Sequence, residues 1–299
     1  MDMRMKILLT AFLMCAVNFV CAASDSYNLP ELKFKCQGQE RSYWLYIPDG
    51  LPQDAPLLFY LHGYGNERPK ADEFCRIADK EKFAVCIPHA AIDTYGKHGW
   101  NVRYEIQKGY RTDDIRFLKK LARHLQKEYG LSKEDVFVTG HSNGGEMCYL
   151  IAYTAPDFVR AVGPIAGLTM KWMYQELVPG KAVPLIEIHG TEDTTSLWEG
   201  CFDDKIWGPY ISVPLAVQNW AIVARCDREI TVELPLASPD ARKVVAHKYL
   251  SDSNQGVQIQ LYEVIGGGHG ISVRDLNYHQ IIWDFFKQYI TKGASPHHP

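Results

Sequence analysis

Hydrophobic positions recur with two different periods along this chain. Residues 56–61 form a continuous apolar run bounded by turn-forming residues, which predicts a buried strand. Between Thr112 and Tyr129 the apolar positions recur every three or four residues, which predicts an amphipathic helix that ends at Gly130. Its apolar positions are Ile115, Leu118, Leu121, Ala122, Leu125 and Tyr129.

The two periods alternate over most of the chain. Further strands are predicted at 33–36, 42–48, 83–88, 136–139, 162–166, 184–188, 245–250 and 257–264. Further helices are predicted at 72–82, after residue 142, at 213–224 and at 275–290. The first two strands are interpreted as a hairpin. Strands that alternate with helices indicate a parallel α/β sheet. Since no linker or repeat divides residues 24–299, they are expected to form one domain.

Two stretches, 91–111 and 194–214, have no regular period. Loops of this length within a compact domain are often functional, and both stretches are rich in aromatic residues. The candidate substrate-binding rings, which would form a flat site for a phenolic acyl group or a sugar face, are Trp100, Trp198, Trp207 and Tyr210. Packing of these rings against the core is the alternative interpretation.

Composition and charge narrow the class of protein. The chain has 299 residues, of which 46% are apolar, and a formal net charge of −3, so it offers no basic surface for nucleic acid. The N-terminus has a positive start, an apolar run at 7–17 and small residues at 22–24, which predicts a signal peptide over 1–23 and a secreted or periplasmic protein. A membrane anchor and a lipoprotein signal at Cys21 are the alternatives. No later segment is apolar enough to span a membrane.

The segment Gly140-His141-Ser142-Asn143-Gly144 fits the pattern G-x-S-x-G, with a predicted strand before it and a predicted helix after it. A sharp turn at this point lifts the Ser142 hydroxyl clear of the sheet, and the two glycines let the chain approach itself closely. The N-terminus of the helix favours a developing negative charge. The pattern therefore indicates a nucleophilic serine; an ordinary glycine-rich turn is the alternative.

A serine nucleophile needs a histidine base and an acid that orients it. His269 lies in a glycine-rich loop after the last apolar strand, where α/β proteins bind ligands, and His279 and His247 are the weaker candidates. Asp193 follows the strand at 184–188 and is the predicted acid, with Glu192 as the alternative. The order serine, acid, histidine is the order typical of this architecture.

An oxyanion hole requires two backbone N–H groups close to the serine. Asn143 directly follows the nucleophile and is expected to supply one of them. The other is expected from the loop after the strand at 56–61, where Tyr64 is the predicted donor and Gly63 its neighbour.

These motifs resemble those of the α/β-hydrolase superfamily. More narrowly, they are similar to the secreted esterases that group polyhydroxybutyrate-depolymerase-like proteins with feruloyl and acetyl-xylan esterases (family 1 of the carbohydrate esterases). The matching stretches lie at 56–65, 99–101, 112–114, 140–145, 189–193, 220–226 and 266–269. The resemblance implies an α/β-hydrolase fold with a mostly parallel central sheet flanked by helices, and it implies no metal or cofactor. It also implies a triad of Ser142, Asp193 and His269, with Tyr64 and Asn143 as oxyanion donors.

Two departures from the depolymerase-like pattern bear on the substrate. Tyr64 stands where those proteins often have a cysteine, and residues 270–272 are Gly-Ile-Ser where they tend to have Thr-Trp-Pro. The resemblance then favours a secreted serine carboxylester hydrolase that acts on feruloyl or acetyl-xylan esters. The expected partner is a small-molecule or polysaccharide ester. The alternatives are a polyhydroxyalkanoate depolymerase-like esterase, a serine peptidase of the same fold and a non-catalytic carbohydrate-binding protein.

The cysteines indicate where disulfides could form. Six follow the predicted signal peptide, and an even number in an exported protein permits disulfides. Cys201 with Cys226 is the predicted pair, because it would hold the 194–214 loop, and Cys75 with Cys86 is a second candidate. Cys148 is expected to remain a buried thiol, and no Cys/His spacing indicates a zinc site.

Overall fold

The computed structural model describes residues 27–67, 70–254 and 256–291, and the predicted signal peptide lies outside the described residues. Ten strands form one sheet in the order β1-β2-β4-β3-β5-β6-β7-β10-β9-β8. The strands are β1 (Leu32–Cys36), β2 (Gln39–Tyr46), β3 (Leu57–Leu61), β4 (Ala84–Pro88), β5 (Val136–His141), β6 (Ala161–Ile165), β7 (Leu185–Gly190), β8 (Arg228–Glu233), β9 (Val244–Leu250) and β10 (Ile259–Val264). The mostly parallel α/β sheet predicted from the sequence is confirmed.

The centre and the two edges of the sheet are built differently. Strands β4, β3, β5, β6, β7 and β10 run parallel to one another and are almost entirely buried, as strands covered by helices on both faces must be. The predicted hairpin of β1 and β2 joins one edge in antiparallel register, and β9 and β8 extend the other edge in the same way.

Helices cover both faces of the sheet. They are α1 (Asp72–Glu81), α2 (Asp114–Tyr129), α3 (Asn143–Thr154), α4 (Lys171–Glu176), α5 (Val213–Val223) and α6 (Tyr278–Phe286). Side chains of α2, α3 and α5 pack into one hydrophobic core, and those of α1 and α6 pack into the core on the opposite face. Gly130 ends α2 in the left-handed region at φ 65°, as expected for a glycine at this position.

Three elements differ from the sequence-based predictions. Strand β8 was not predicted, although Ile230 and Val232 alternate with polar residues as in a strand; all six of its residues are exposed, so the alternation marks no buried face. The short helix α4 was also not predicted. Helix α6 begins at Tyr278 rather than at residue 275, because the Asn277 side chain accepts a hydrogen bond from the Gln280 amide (3.4 Å) and caps the helix there.

All six described cysteines are free thiols, so neither predicted disulfide is present. Cys201 pairs with Tyr210 before α5, whereas Cys226 follows α5, and this 11-residue helix rises roughly 16 Å. A disulfide needs Cα atoms within about 7 Å. Cys86 packs in the core with α2, whereas α1, which carries Cys75, packs on the opposite face. Cys148 is a buried thiol, as expected.

None of the helices in the described residues is long and apolar enough to cross a bilayer.

Candidate active site

Strand β5 passes into helix α3 through a single residue with unusual backbone geometry. Ser142 lies at φ 54° and ψ −121°, a region that a residue with a side chain adopts only when its surroundings enforce it, at a cost of about 1–3 kcal/mol. The Ser142 amide donates to the Ile165 carbonyl (2.8 Å), and its own carbonyl accepts from Glu146 (3.0 Å) in the first turn of α3. The turn therefore presents this serine at the start of a helix.

The two glycines beside the serine are required by close packing of the backbone. A Cβ atom on Gly140 would lie 2.6 Å from the carbonyl carbon of Gly144. A Cβ atom on Gly144 would lie 2.2 Å from the Leu61 carbonyl oxygen at the end of β3. Because neither clash involves a movable side chain, a larger residue at either position would displace the turn.

The predicted acid and histidine meet at the same edge of the sheet as Ser142. Strands β7 and β10 are parallel neighbours, so the loops after them emerge together. Asp193 follows β7 and His269 follows β10, and His269 Nδ1 lies 2.8 Å from Asp193 Oδ2. The two loops are in contact, because the Glu192 amide donates to the Gly267 carbonyl (2.9 Å). The Glu192 side chain itself is exposed.

The Asp193 carboxylate is buried and has a full set of donors. Its Oδ1 accepts hydrogen bonds from the amides of Thr195 and Ser196, both at 2.8 Å. Burial by itself would raise the pKa of Asp193, but the hydrogen bonds from His269 and from the Ser196 amide outweigh it and hold the pKa below its usual range. The carboxylate is therefore ionised and oriented towards His269.

No hydrogen bond joins the side chains of Ser142 and His269 in the described residues, but His269 contacts His141, the residue before Ser142. His141 Nε2 donates to the His269 carbonyl oxygen (2.9 Å), and the two imidazole rings are 4.9 Å apart. Burial lowers the pKa of His141, so its ring is neutral. The contact brings the loop after β10 against the residue that precedes Ser142. Hydrogen bonds between catalytic groups are often long before substrate binds.

The loop after β3 lies against the serine from the other side. A Cβ atom on Gly63 would be 3.5 Å from Ser142 Cβ. The amide N–H groups of Tyr64 and Asn143 have no protein acceptor among the described residues, whereas the Gly65 amide donates to the His98 carbonyl (2.8 Å). Two unpaired donors are therefore found at the positions that the sequence indicated, one in the loop after β3 and one at the first residue of α3.

Trp100 is not an open stacking surface, which corrects the sequence-based prediction. Its side chain is fully buried, and its indole N–H donates to the His62 carbonyl (3.0 Å). The Asn143 side chain accepts from the Trp100 amide (2.7 Å) and donates to the Trp100 carbonyl (3.1 Å). Trp100 therefore ties the loop after β3 to the start of α3.

The other predicted rings divide into two groups. Tyr210 is fully buried, and its hydroxyl accepts from the Leu197 amide (3.3 Å), so this prediction is also corrected. Trp207 is half-buried and packs 5.6 Å from the Tyr64 ring, and Trp198 is half-buried with its ring 6.0 Å from that of His189. Only Trp198 and Trp207, among the four predicted rings, retain exposed surface.

Three supporting interactions were not predicted from the sequence. The Tyr64 hydroxyl donates to Asp93 Oδ2 (2.6 Å). His62 accepts a hydrogen bond from the Ala90 amide (3.0 Å) through Nε2. Glu187 and His189 are fully buried and bonded to each other beneath Asp193. Only the last pair had a signal in the sequence, because ionisable residues are rare inside an apolar strand.

In the part of the chain that the structure describes, no group of three or more histidine, cysteine or carboxylate side chains is arranged to hold a metal ion.

Comparisons with known proteins show which proteins the chain resembles. No protein-family model matches the chain. It is 24% identical over 260 residues to the bifunctional acetylxylan esterase/xylanase XynS20E of Neocallimastix patriciarum, with 86% of this chain and 34% of that protein covered. It is 24% identical over 290 residues to poly(3-hydroxyalkanoate) depolymerase C of Paucimonas lemoignei (89% and 68% covered). It is 22% identical over 253 residues to feruloyl esterase B of Piromyces equi (81% and 44% covered).

The chain thus spans about a third of the first relative and under half of the third. Among solved structures, it is similar to the acetyl xylan esterase from Aspergillus awamori, with a TM-score of 0.60 and 16% identity over 86% of this chain and 99% of the other. The chain has the α/β-hydrolase fold, and the resemblance to the esterase group drawn from its motifs is confirmed.

Proposed function

We propose that this chain is an exported serine carboxylester hydrolase that acts on plant cell-wall esters of the acetyl-xylan or feruloyl type. The observation that carries the proposal is the 2.8 Å contact between His269 Nδ1 and Asp193 Oδ2 beside Ser142, which the backbone holds at positive φ. A non-catalytic carbohydrate-binding protein has no need of this combination. Export rests on the N-terminal sequence alone, which predicts a signal peptide.

Each group has one role in the proposed reaction. Ser142 Oγ attacks the ester carbonyl carbon while His269 Nε2 takes its proton, and the amides of Tyr64 and Asn143 stabilise the oxyanion. Asp193 holds His269 Nδ1–H and stabilises the imidazolium. The proton passes to the leaving alcohol as the tetrahedral species collapses to an acyl-enzyme. Water then attacks the acyl carbon with His269 as base, which releases the acid and restores Ser142.

The choice of wall esters rests on two kinds of observation. The relatives include proteins named acetylxylan esterase and feruloyl esterase. Tyr64, which replaces the cysteine expected of depolymerase-like proteins, packs its ring against Trp207 and bonds Asp93, so it shapes the loop that would border the acyl group. The polyhydroxyalkanoate depolymerase alternative has support from one relative of that name.

The test of the reaction type is hydrolysis of nitrophenyl acetate by the wild-type protein and by Ser142→Ala. We expect the variant to lose roughly 10⁴-fold or more in kcat while it melts close to the wild type. Ser212→Ala is the matched control, since Ser212 only caps the N-terminus of α5 by accepting from the Leu215 amide. Activity of Ser142→Ala equal to that of Ser212→Ala would refute a serine nucleophile.

The test of the substrate class is a panel of methyl ferulate, acetylated xylan, hydroxybutyrate oligomers and a peptide amide. We expect the highest kcat/KM on one of the first two compounds. Preference for the oligomers would support the depolymerase alternative, and preference for the amide would support a peptidase.

A further inference from the structure

Strand β7 carries two ionisable residues that the proposed reaction does not use. Glu187 and His189 are fully buried, and because they are two positions apart in a strand they face the same side of the sheet. His189 Nδ1 lies 2.9 Å from Glu187 Oε1. A buried ionic pair is a poor source of stability, since hydrophobic residues of similar volume often serve as well. The pair is therefore expected to have a role other than stability.

The other ring nitrogen of His189 faces the turn that holds Asp193. His189 Nε2 lies 2.8 Å from the Ser196 carbonyl oxygen and 3.5 Å from Asp193 Oδ2. Both of these atoms are acceptors, so Nε2 must carry a proton. The second proton lies between Nδ1 and Glu187, and the ring is thereby fixed in one orientation. Burial alone would lower the pKa of His189, but the hydrogen bond to Glu187 raises it above its usual value.

Ser196 connects this histidine to the acid. Its carbonyl accepts from His189, while its amide donates to Asp193 Oδ1 (2.8 Å), beside the amide of Thr195. Ser196 is therefore hydrogen-bonded on both sides, to His189 through its carbonyl and to Asp193 through its amide. If His189 released the carbonyl, the two amides would no longer be held in place around the carboxylate.

Other titratable groups surround the pair without replacing it. His141 at the end of β5 and His269 in the loop after β10 approach Asp193. From α3, Glu146 and Tyr149 approach Glu187 from behind. Burial raises the pKa of Glu146 to about 8, so near neutral pH that carboxyl is mostly uncharged. His189 is thus a proton-donating neighbour of Asp193 Oδ2, the same carboxylate oxygen that faces His269.

We propose that His189 is a positioning residue for the active site: with its ring held by Glu187, it fixes the 194–196 turn and donates towards Asp193, so that the carboxylate is oriented on His269. It does not touch the substrate. This inference rests on the proposed function, in which Asp193 orients the base.

The test is the pH profile of nitrophenyl acetate hydrolysis by His189→Leu. We expect kcat to fall roughly tenfold to a hundredfold, the size typical when a group that orients an active-site ligand is removed, with KM changed by less than about threefold. The Asp193 carboxylate would then be held less firmly against His269 Nδ1, so it would stabilise protonated His269 less. The acid limb of kcat/KM should therefore move to lower pH, by about half a unit or more. An unchanged limb, or one moved to higher pH, would overturn the proposal.

Two further variants keep the test decisive if His189→Leu folds poorly. In Glu187→Gln the amide can donate to His189 Nδ1 and leave the proton on Nε2, so we expect kcat within about threefold of wild type. A loss in this variant as large as that of His189→Leu would contradict a role for the Nε2 proton. His279→Gln removes another buried histidine, on α6 and packed 4.8 Å from the Phe74 ring, and should lower the Tm without moving the acid limb.

Failure of this inference is distinguishable from failure of the proposed function. If Ser142→Ala remains active, the serine mechanism is wrong whatever His189 does. If Ser142→Ala is inactive while His189→Leu keeps the wild-type kcat and acid limb, the mechanism stands and only the positioning role is refuted.

Discussion

The inner loop (91–111) and the outer loop (194–214) are equally long and both rich in aromatic residues, yet their side chains are used differently. In the inner loop Trp100 and Tyr104 are buried, and Gln107 is buried among three backbone groups that it bonds. In the outer loop Phe202 and Ile206 are exposed, although Tyr210 is buried there and Tyr95 is exposed in the inner loop. Aromatic content alone therefore does not identify a binding surface. The hydrogen-bond partners of its polar atoms show whether a side chain belongs to the scaffold or to a contact surface.

The largest expected effect is in Trp100→Ala. Removing a fully buried ring should lower the free energy of unfolding by about 3–5 kcal/mol. Because Trp100 ties the loop after β3 to α3, we expect kcat for methyl ferulate and for nitrophenyl acetate to fall by similar factors. Denaturant melts and both assays on one preparation measure this. A loss confined to ferulate would mean that Trp100 contacts the acyl group after all.

Lowering the pH should destabilise the folded protein through His62, which lies beside the inner loop. Since His62 Nε2 accepts from the Ala90 amide (3.0 Å) and Nδ1 donates to the Gly63 carbonyl (2.7 Å), the folded ring is neutral. Burial lowers the pKa of His62 from 6.5 to about 3, so below about pH 6.5 the unfolded chain binds this proton first.

Between about pH 6.5 and pH 3, His62 should therefore lower the free energy of unfolding by about 1.4 kcal/mol for each unit by which the pH falls. Above pH 6.5 the contribution of neutral His62 to stability is fully present. Urea melts at several pH values measure the slope. His62→Gln should show a shallower slope than the wild type, and an equal slope in both proteins would contradict the assignment.

A smaller effect is expected from Gln107→Leu. Gln107 Nε2 donates to the Trp100 carbonyl (3.0 Å), and Oε1 accepts from the amides of Val102 and Tyr104 (both 3.3 Å). Leucine has similar volume but leaves these buried groups unpaired, which should cost about 1–3 kcal/mol. Thermal melts with Lys108→Ala as an exposed neighbouring control measure the loss. A variant as stable as the control would mean that the loop is not held by this side chain.

The smallest expected effect on stability is in the outer loop. Phe202 is 65% exposed, so Phe202→Ala should change the free energy of unfolding by no more than about 0.5 kcal/mol. If this ring stacks on an aromatic acyl group, the variant should lose up to about tenfold in kcat/KM on methyl ferulate and little on an acetate ester. Tyr95→Ala, equally exposed at 65% but in the inner loop, is the matched control. Equal effects of the two variants on ferulate would remove the distinction between the loops.

Local sequence was sufficient for most of the fold and for the candidate residues of the site. The apolar run of β3, the helical period of α2 and the G-x-S-x-G turn each involve neighbours in sequence, so their structure follows from local sterics and burial. The pair of Asp193 and His269 was also predicted, because residues at the carboxyl ends of neighbouring parallel strands meet at one edge of a sheet.

Only the tertiary structure decided what depends on contacts between distant residues. Two features depend on packing that no local pattern encodes: the burial of Trp100, and the separation of Cys201 from Cys226 by α5. The exposed β8 pairs with the sheet because β9 offers a free edge, although its own residues bury no apolar face. The same holds for the hydrogen bonds that join Asn143 to Trp100 and His189 to Ser196. The sequence determined the candidate chemistry of the site, whereas long-range packing and hydrogen bonding determined which side chains orient it, because these contacts exist only once the chain is folded.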